Sequence, residues 1–557
     1  MDVERVGVPD VPDVPAAAEE RRPRWVLPVV ACLTVLALVI RGLIAFHSGL
    51  WRDEALFLFI VDEPSWGAML DFLRNHESHP PFFYAVMRVW LALVGDSDAT
   101  ALAVPVVLGA ALVPALYAVG ARLLTWRAGL VAAALAAVSP IAVEHSAMVR
   151  PYSLLPLLAL GGTYALVRAV DVGGWRWWAT YAVATLALVY THNWAWLVVG
   201  AQWVAVAVLL WRGVPRPRAA VVRGFAGAQA AVALGFLPWL PSFANQAEHA
   251  GHAPLDLSGF FDTPLDVLSL PIVIGRSFLL GTLLPRTVGV VTGVVIGWAL
   301  VIGVGGLVSR ARGPVRAGSA LTVLTVVPVA ALCAAALVSP RSNMLQVRCL
   351  LTVAPPLLLL VAHGLDRLRS NGHGKLAGVA VLALLAAYGA LLPPQYTAPR
   401  STVRELARDL TAKAQTSDLI LIAPEFIASS FNRYYAPATE QIDFPVMGRV
   451  GAMFFDRTAE RFADPGALAE ARRRLDEAHA AGRRVWLIVD AGSTICTGAD
   501  CDAEVARSDA FLNVGYARAS QLREYLGAVY GPPASCDPHT YASGRDEALE
   551  VCLFAPR

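Results

Sequence analysis

Apolar runs of roughly twenty residues, separated by short polar stretches, recur from Trp25 to about residue 393. About 20 apolar residues are enough for a helix to cross a bilayer. The first run, Trp25 to Phe46, is broken only by Arg41. It reads as a span rather than a cleaved signal peptide, because it is long, lacks a small-x-small cleavage site and is followed by many more apolar runs. Further spans are expected near 99–121, 127–143, 151–170, 176–191, 194–211, 219–240, 287–308, 318–338, 348–365 and 375–392, about eleven in all.

The polar stretches set the orientation. Arg21, Arg22 and Arg24 precede the first span. Arg122 and Arg127; Arg168 and Arg176; Arg212, Arg216, Arg218 and Arg223; Arg310, Arg312 and Arg316; and Arg367, Arg369 and Lys375 then fall in alternate loops. The positive-inside rule assigns all of these to the cytoplasm. Residues 47–98 then lie wholly outside, and His79 to Gly95 becomes a helix that lies in the interface or re-enters the membrane. Residues 241–286 form a second outer loop. Residues 1–24 repeat Val-Pro-Asp and read as a disordered cytoplasmic tail.

The pattern changes after Pro393-Pro394. An amphipathic helix is expected over 401–416, a buried strand over 418–423 and a helix over 467–482. A second strand follows over 484–490, then helix over 520–530 and a third strand over 548–554. The spans 25–393 thus precede a small α/β domain, 394–557. An odd number of spans places it outside the cytoplasm.

Composition agrees with lipid as the main solvent. Hydrophobic residues make up 56% of the 557 and charged residues only 16%, with mean hydropathy +0.55. Soluble chains carry about 25% charged residues. The net charge of +2, without a basic helix or aromatic RNA motif, gives no reason to expect a nucleic-acid partner. Heavy use of Ala, Val, Leu and Arg with few Lys fits a GC-rich genome, and the expected location is a bacterial inner membrane.

Four of the seven cysteines (Cys496, Cys501, Cys536 and Cys552) lie in the α/β domain. Outside the cytoplasm an even set favours disulfides. Cys496–Cys501 with Cys536–Cys552 is the simplest of three possible pairings. Zinc is the competing reading, but C-x4-C without nearby His matches no usual ligand spacing.

Candidate chemistry gathers at the outer ends. Asp53 and Glu54 follow Trp51-Arg52 just beyond the first span. Carboxylates in hydrocarbon cost about 2.5–3.5 kcal/mol each, so this pair belongs at the interface, where partial burial can tune a general base. Further along come His76-Glu77-Ser78-His79-Pro80-Pro81; the prolines start a helix, and the amides at its N-terminal end favour an anion. Glu144, His145, Arg150 and Tyr152 mark the next outer end, His192 the following one, and Arg341 with Arg348 a later one. Each alone is ordinary: a snorkelling arginine or a satisfied turn histidine. Together they supply cations that can hold a lipid phosphate and a carboxylate that can activate a nucleophile.

LWRDEA (50–55), HPPFFYAVMRVWLALVG (79–95), SPIAVEHSAMVRPYSLL (139–155) and THNW (191–194) resemble the GT-C glycosyltransferases. The similarity is to the family 39-like bacterial members, the protein mannosyltransferases and the aminoarabinose transferase, and covers about 25–360. It implies a polytopic α-helical GT-C membrane fold and transfer from a polyprenyl-phosphate sugar on the extracytoplasmic side. On that match Asp53 is the catalytic base and Glu54 its supporting acid. Arg150 and Arg348 bind the donor phosphate with His79, while Glu77 borders the acceptor pocket. The family's Arg-Tyr pair is Arg348-Cys349 here, and Asn follows Thr-His where an aromatic is usual.

The expected reaction is an inverting displacement at the anomeric carbon, with mannose or arabinose moved to a protein, lipid or cell-wall glycan hydroxyl. An Asp-Glu pair can hold a divalent ion such as magnesium or manganese, but no further ligand set is evident, so metal dependence stays open. A lipid-linked sugar flippase is the rival of another class. Transporters, however, place polar groups at the midplane and often carry inverted repeats; here they sit at outer ends. A glycan ligase or polymerase is the rival enzyme.

Overall fold

The computed structural model describes residues 22–250, 314–338, 351–446, 460–491, 496–497, 499–507, 511–537 and 547–556. Arg341, Arg348, the expected span 287–308 and most of the expected loop 241–286 lie outside the described residues.

Among those described, six helical stretches are long and apolar enough to cross a membrane, or seven if α6 (Trp126–Val138) and α7 (Pro140–Ser146), bent by 57° at Ser139-Pro140, count as one broken span. They include α1 (Val26–His47), α5 (Asp98–Leu123), the stretch Pro151–Asp171 that contains α8 (Leu154–Asp171), α10 (Ala195–Arg212) and the stretch Arg218–Gln246 that begins with α11 (Arg218–Phe236). The sixth, Leu351–Thr397, is 47 residues long. That is about 70 Å of helix, more than twice the ~30 Å hydrocarbon core. It breaks at Asn371-Gly372, where Gly372 takes φ +92°, and its halves Ala354–Leu368 and Gly374–Ala390 pack on each other. α9 (Trp175–Val189), expected as a span, is a 15-residue helix packed on α8 and α11.

Close crossings hold the bundle. A Cβ on Gly120 of α5 would lie 2.6 Å from Gly129 Cα of α6, so neither position has room for a side chain. Arg41, fully buried in α1, donates to the carbonyls of Ala136 (3.0 Å) and Ala137 (2.9 Å). These are the carbonyls that the α6–α7 bend would otherwise leave unsatisfied.

Residues between α1 and α5 form a layer over one end of the bundle: α2 (Arg52–Val61), α3 (Trp66–Asn75) and α4 (Phe82–Val94). The 13-residue α4 is too short to span. Arg88 donates to Val61 O (2.6 Å) and Glu63 O (2.8 Å), closing the end of α2 against α4. α3 packs on α12 (Leu240–Ala250).

The C-terminal part contains a five-stranded sheet in the order β2-β1-β3-β5-β4. β1 is Leu419–Ala423, β2 Glu440–Asp443, β3 Val485–Asp490, β4 Ser535–Asp537 and β5 Leu549–Phe554. β1 is parallel to both β2 and β3, and β5 is antiparallel to β3 and β4. β1, β3 and β5 match the three expected strands. β2 (EQID) and β4 (SCD) are edge strands whose short polar sequences carry no buried-strand pattern. The apolar runs of β1 and of β3 up to Val489 reflect a sheet covered on both faces. Ile420, Ile422, Trp486 and Ile488 face a core continuous with that of the helical body; Leu419, Leu421, Val485 and Leu487 pack against Pro465–Ala480 and Phe511–Tyr530. Cys496 is bonded to Cys501 and Cys536 to Cys552, with Cα separations of 5.1 and 4.1 Å; the second pair joins directly opposed residues of β4 and β5.

Candidate functional site

The first turn of α2 carries Arg52, Asp53 and Glu54. Carboxylates there are favoured by the positive end of the helix dipole. Their environments differ. Glu54 is 1% exposed: Oε2 accepts from Trp51 N (3.3 Å), the reach-back of a helix N3 acid. Its Oε1 accepts from Val149 N (2.7 Å), and Arg400 Nη1 lies 3.4 Å from Oε2. The Asp53 side chain is 27% exposed, with Arg52 Nε 3.7 Å away. Of the two, Asp53 is the carboxylate that a substrate can approach.

Arg150 is buried and links three segments. Nη1 donates to Asp53 O (3.3 Å), and Nη2 lies 3.2 Å from His79 Nε2. Burial works against its charge, but Tyr152, Tyr84, Asp53 and Glu77 outweigh it and raise the guanidinium above its ordinary value. α7 ends at Ser146 and Arg150 takes an extended conformation, so it does not continue a helical turn from Glu144 and His145. The bend turns its side chain toward α2 instead.

His79 Nδ1 lies 2.7 Å from Glu77 Oε1, which also accepts from Ser78 N (2.9 Å). Burial would raise the Glu77 carboxyl; the hydrogen bond and charge of His79, with Arg150 and Ser78, outweigh it and hold Glu77 below the ordinary carboxylate value. A charged Glu77 fixes the His79 ring and leaves Nε2 toward Arg150. α4 starts at Phe82, whose amide donates to Tyr190 O (3.0 Å), so one of the helix-start amides expected to meet an anion is already used.

Rings close the other side. His192 is 5.2 Å from His79 and 6.5 Å from Tyr152 between centroids; His145 is 5.4 Å from Tyr152, and its Nδ1 lies 3.0 Å from Ile141 O. Glu144 is half-buried on α7, and its carbonyl receives Arg400 Nη2 at 3.5 Å. Asp53, Glu54, Glu77, His79, Arg150, Tyr152 and His192 therefore meet at one end of the bundle.

Sequence reasoning missed several contributors. Asn193 donates to Ser78 O (2.9 Å) and Gln246 Oε1 (3.1 Å), tying the histidine loop to α12. Tyr84, fully buried, stacks on Phe57 of α2 at 4.2 Å and lies in the field of Glu77, Arg150 and Asp53. Arg400 reaches Glu54 from beyond the last apolar run. Nothing in the sequence around Arg400 marks it as different from other arginines.

Both Glu54 oxygens face backbone amides or Arg400. Among the described residues, the one group of potential metal ligands that converges is Cys536, Glu550 and Cys552. Its sulfurs are joined and Arg523 holds Glu550 at 2.6 Å.

Residues 78–241 match the family described as dolichyl-phosphate-mannose-protein mannosyltransferase. The match includes His79, Arg150 and His192 and begins after Asp53. No curated protein matches the sequence. The chain is similar to the oligosaccharyltransferase of Archaeoglobus fulgidus, solved tethered to an acceptor peptide containing the NVT sequon: TM-score 0.57, 10% identity, over 88% of this chain and 72% of that one. It is also similar to ArnT from Cupriavidus metallidurans bound to undecaprenyl phosphate: TM-score 0.53, 12% identity, over 94% and 98%. At such identities the likeness is one of fold. The chain is a membrane protein of the GT-C fold, similar over 78–241 to the protein mannosyltransferases.

Proposed function

We propose that the protein is a membrane glycosyltransferase moving a sugar from a polyprenyl-phosphate donor to an acceptor hydroxyl, with inversion. The observation that carries this reading is the pairing of a solvent-reachable Asp53 with a buried, charged Arg150 beside His79. Asp53 accepts the proton of the acceptor hydroxyl as its oxygen attacks the anomeric carbon. The polyprenyl phosphate leaves, and its developing charge is met by Arg150 and His79; Arg348 is a further phosphate ligand by family resemblance. Glu54 organises the turn. Glu77 orients His79, while Tyr152, His145, Glu144 and His192 line the pocket.

Support for a lipid-phosphate donor comes from the match over 78–241 and from the ArnT structure with undecaprenyl phosphate. The mannosyltransferase match favours mannose; arabinose is the second candidate, and the acceptor is a protein, lipid or cell-wall glycan. Loop arginines support an N-terminus in the cytoplasm and an α/β domain outside; the bacterial inner membrane rests on composition and the family resemblance. The paired cysteines fit the oxidising side.

Donor-dependent labelling of an acceptor in purified membranes tests the assignment. Asp53→Asn is expected to lower transfer about 10²- to 10⁴-fold at normal expression. Full activity in that variant rejects Asp53 as base, and movement of lipid without a new glycosidic bond would favour a flippase. A chelator tests the open question of metal: unchanged transfer means that Asp53 acts as base without an ion, and a loss restored by magnesium or manganese assigns an ion to the Asp53-Glu54 turn.

A further inference from the structure

Both neighbours of Asp53 are gripped from beyond the transmembrane helices. The guanidinium of Arg52 lies over the Phe426 ring at 4.7 Å, and its carbonyl accepts from Ser429 Oγ (3.2 Å). Its side chain also hydrogen-bonds the Tyr516 phenol, which hydrogen-bonds Asp490 in turn. Phe426 follows β1 and Asp490 ends β3.

Strand order gives this place a meaning. β2 lies on one side of β1 and β3 on the other, so winding reverses between β1 and β3. In open α/β sheets the crevice beyond the carboxyl ends of such strands is where a ligand binds. Here that crevice receives Arg52.

On the other side, Arg400 spans Glu54 and the end of α7. Nη1 is 3.4 Å from Glu54 Oε2, and Nη2 donates to Ala147 O, three residues before Arg150. Arg150 in turn donates to Asp53 O. The base and the cation are thus held in one register by a residue that follows the last apolar run.

We propose that the C-terminal α/β unit is the positioning device of the reaction centre: its β1–β3 crevice seats Arg52, and Arg400 seats Glu54, which together aim Asp53. This rests on Asp53 being the base. Arg52, Arg400 and Tyr516 are positioning residues, since their contacts are with the turn that carries the base.

Tyr516→Phe and Arg400→Gln test it, with Arg400→Lys as the conservative variant. Misplacement of a reacting group by about 1 Å can cost about 10²-fold in rate. The expected result is a fall in kcat of about 10- to 100-fold, with donor KM and undecaprenyl-phosphate affinity within about two-fold of the parent. Arg400→Lys recovers part of it. In parallel, amide hydrogen exchange over 51–56 should rise about tenfold in both disruptive variants, while exchange in β1 and β3 is unchanged, which certifies the fold. Unchanged exchange over 51–56 with unchanged kcat overturns the proposal, as does a loss confined to undecaprenyl-phosphate affinity. If the parent transfers no sugar, the glycosyltransferase reading fails, and the exchange measurement alone decides whether the α/β unit fixes this turn.

Discussion

At the residue scale, opposite carboxylate shifts sit within one assembly. Glu77 is held low by His79 despite its burial, so its contribution to stability is present above its unfolded value and is lost as pH falls through the folded one. Glu547, 1% exposed between Ser401 Oγ (2.7 Å) and Ser430 Oγ (2.6 Å), is the reverse. Burial raises its carboxyl to about 7, with Ser401, Ser430 and Arg52 opposing. The unfolded chain loses that proton near about 4.3. Between there and about 7 the folded state holds more protons, so stability is full below that interval and falls across it by roughly 4 kcal/mol. A melting temperature that drops from pH 5 to pH 8 in the parent should drop less in Glu547→Gln. Equal slopes would reject the assignment.

At the element scale, glycine decides where helices cross. Gly129 of α6 has Tyr117 O 2.6 Å from where a Cβ would sit, and Gly120 meets Gly129 itself, whereas Gly200 meets nothing within 4 Å. Gly120→Val should therefore cost about 1–3 kcal/mol through forced separation of α5 and α6. Gly200→Ala, mid-helix with open space at its Cβ, should instead stabilise by about 0.5–1 kcal/mol, and thermal unfolding in detergent compares the two. β1 and β3 were legible because both faces are covered and every residue but Asp490 is apolar or small. β2 and β4 were not, since Glu440-Gln441 and Ser535 look like any polar loop until a neighbouring strand gives their backbone a ladder. α9, expected as a span over 176–191, is helical over Trp175–Val189, and the chain then turns into the His192 loop.

At the scale of the whole molecule, the helical body and the α/β unit meet through charges on partly exposed groups. Arg433 holds Asp96 at 2.6 and 2.8 Å; Arg404 holds Asp98 at 2.9 Å; and the Tyr434 hydroxyl donates to Asp98 (2.8 Å) and accepts from Leu50 N (2.7 Å). Exposed pairs contribute about 0.2–1 kcal/mol each and weaken with salt. The double variant Arg404→Ala/Arg433→Ala should speed limited proteolysis between 394 and 402, and high salt should act on the parent in the same direction. No change in cleavage would mean that the shared apolar core, through Ile420, Ile422 and Trp486, suffices to hold the parts together.

The apolar runs, the arginine loops and the LWRDEA, HPP and RPY segments determine by themselves that this is a many-helix membrane protein with a carboxylate, histidines and arginines gathered at one end. Those features are local: hydropathy over twenty residues and the chemistry of single side chains do not depend on distant partners. Only the tertiary structure decided that Asp53 stays reachable while Glu54 is enclosed. That distinction is made by Val149, Arg400 and Arg52's seat between β1 and β3, all far from α2 in sequence. Two adjacent carboxylates acquire different environments only when the rest of the chain folds against them.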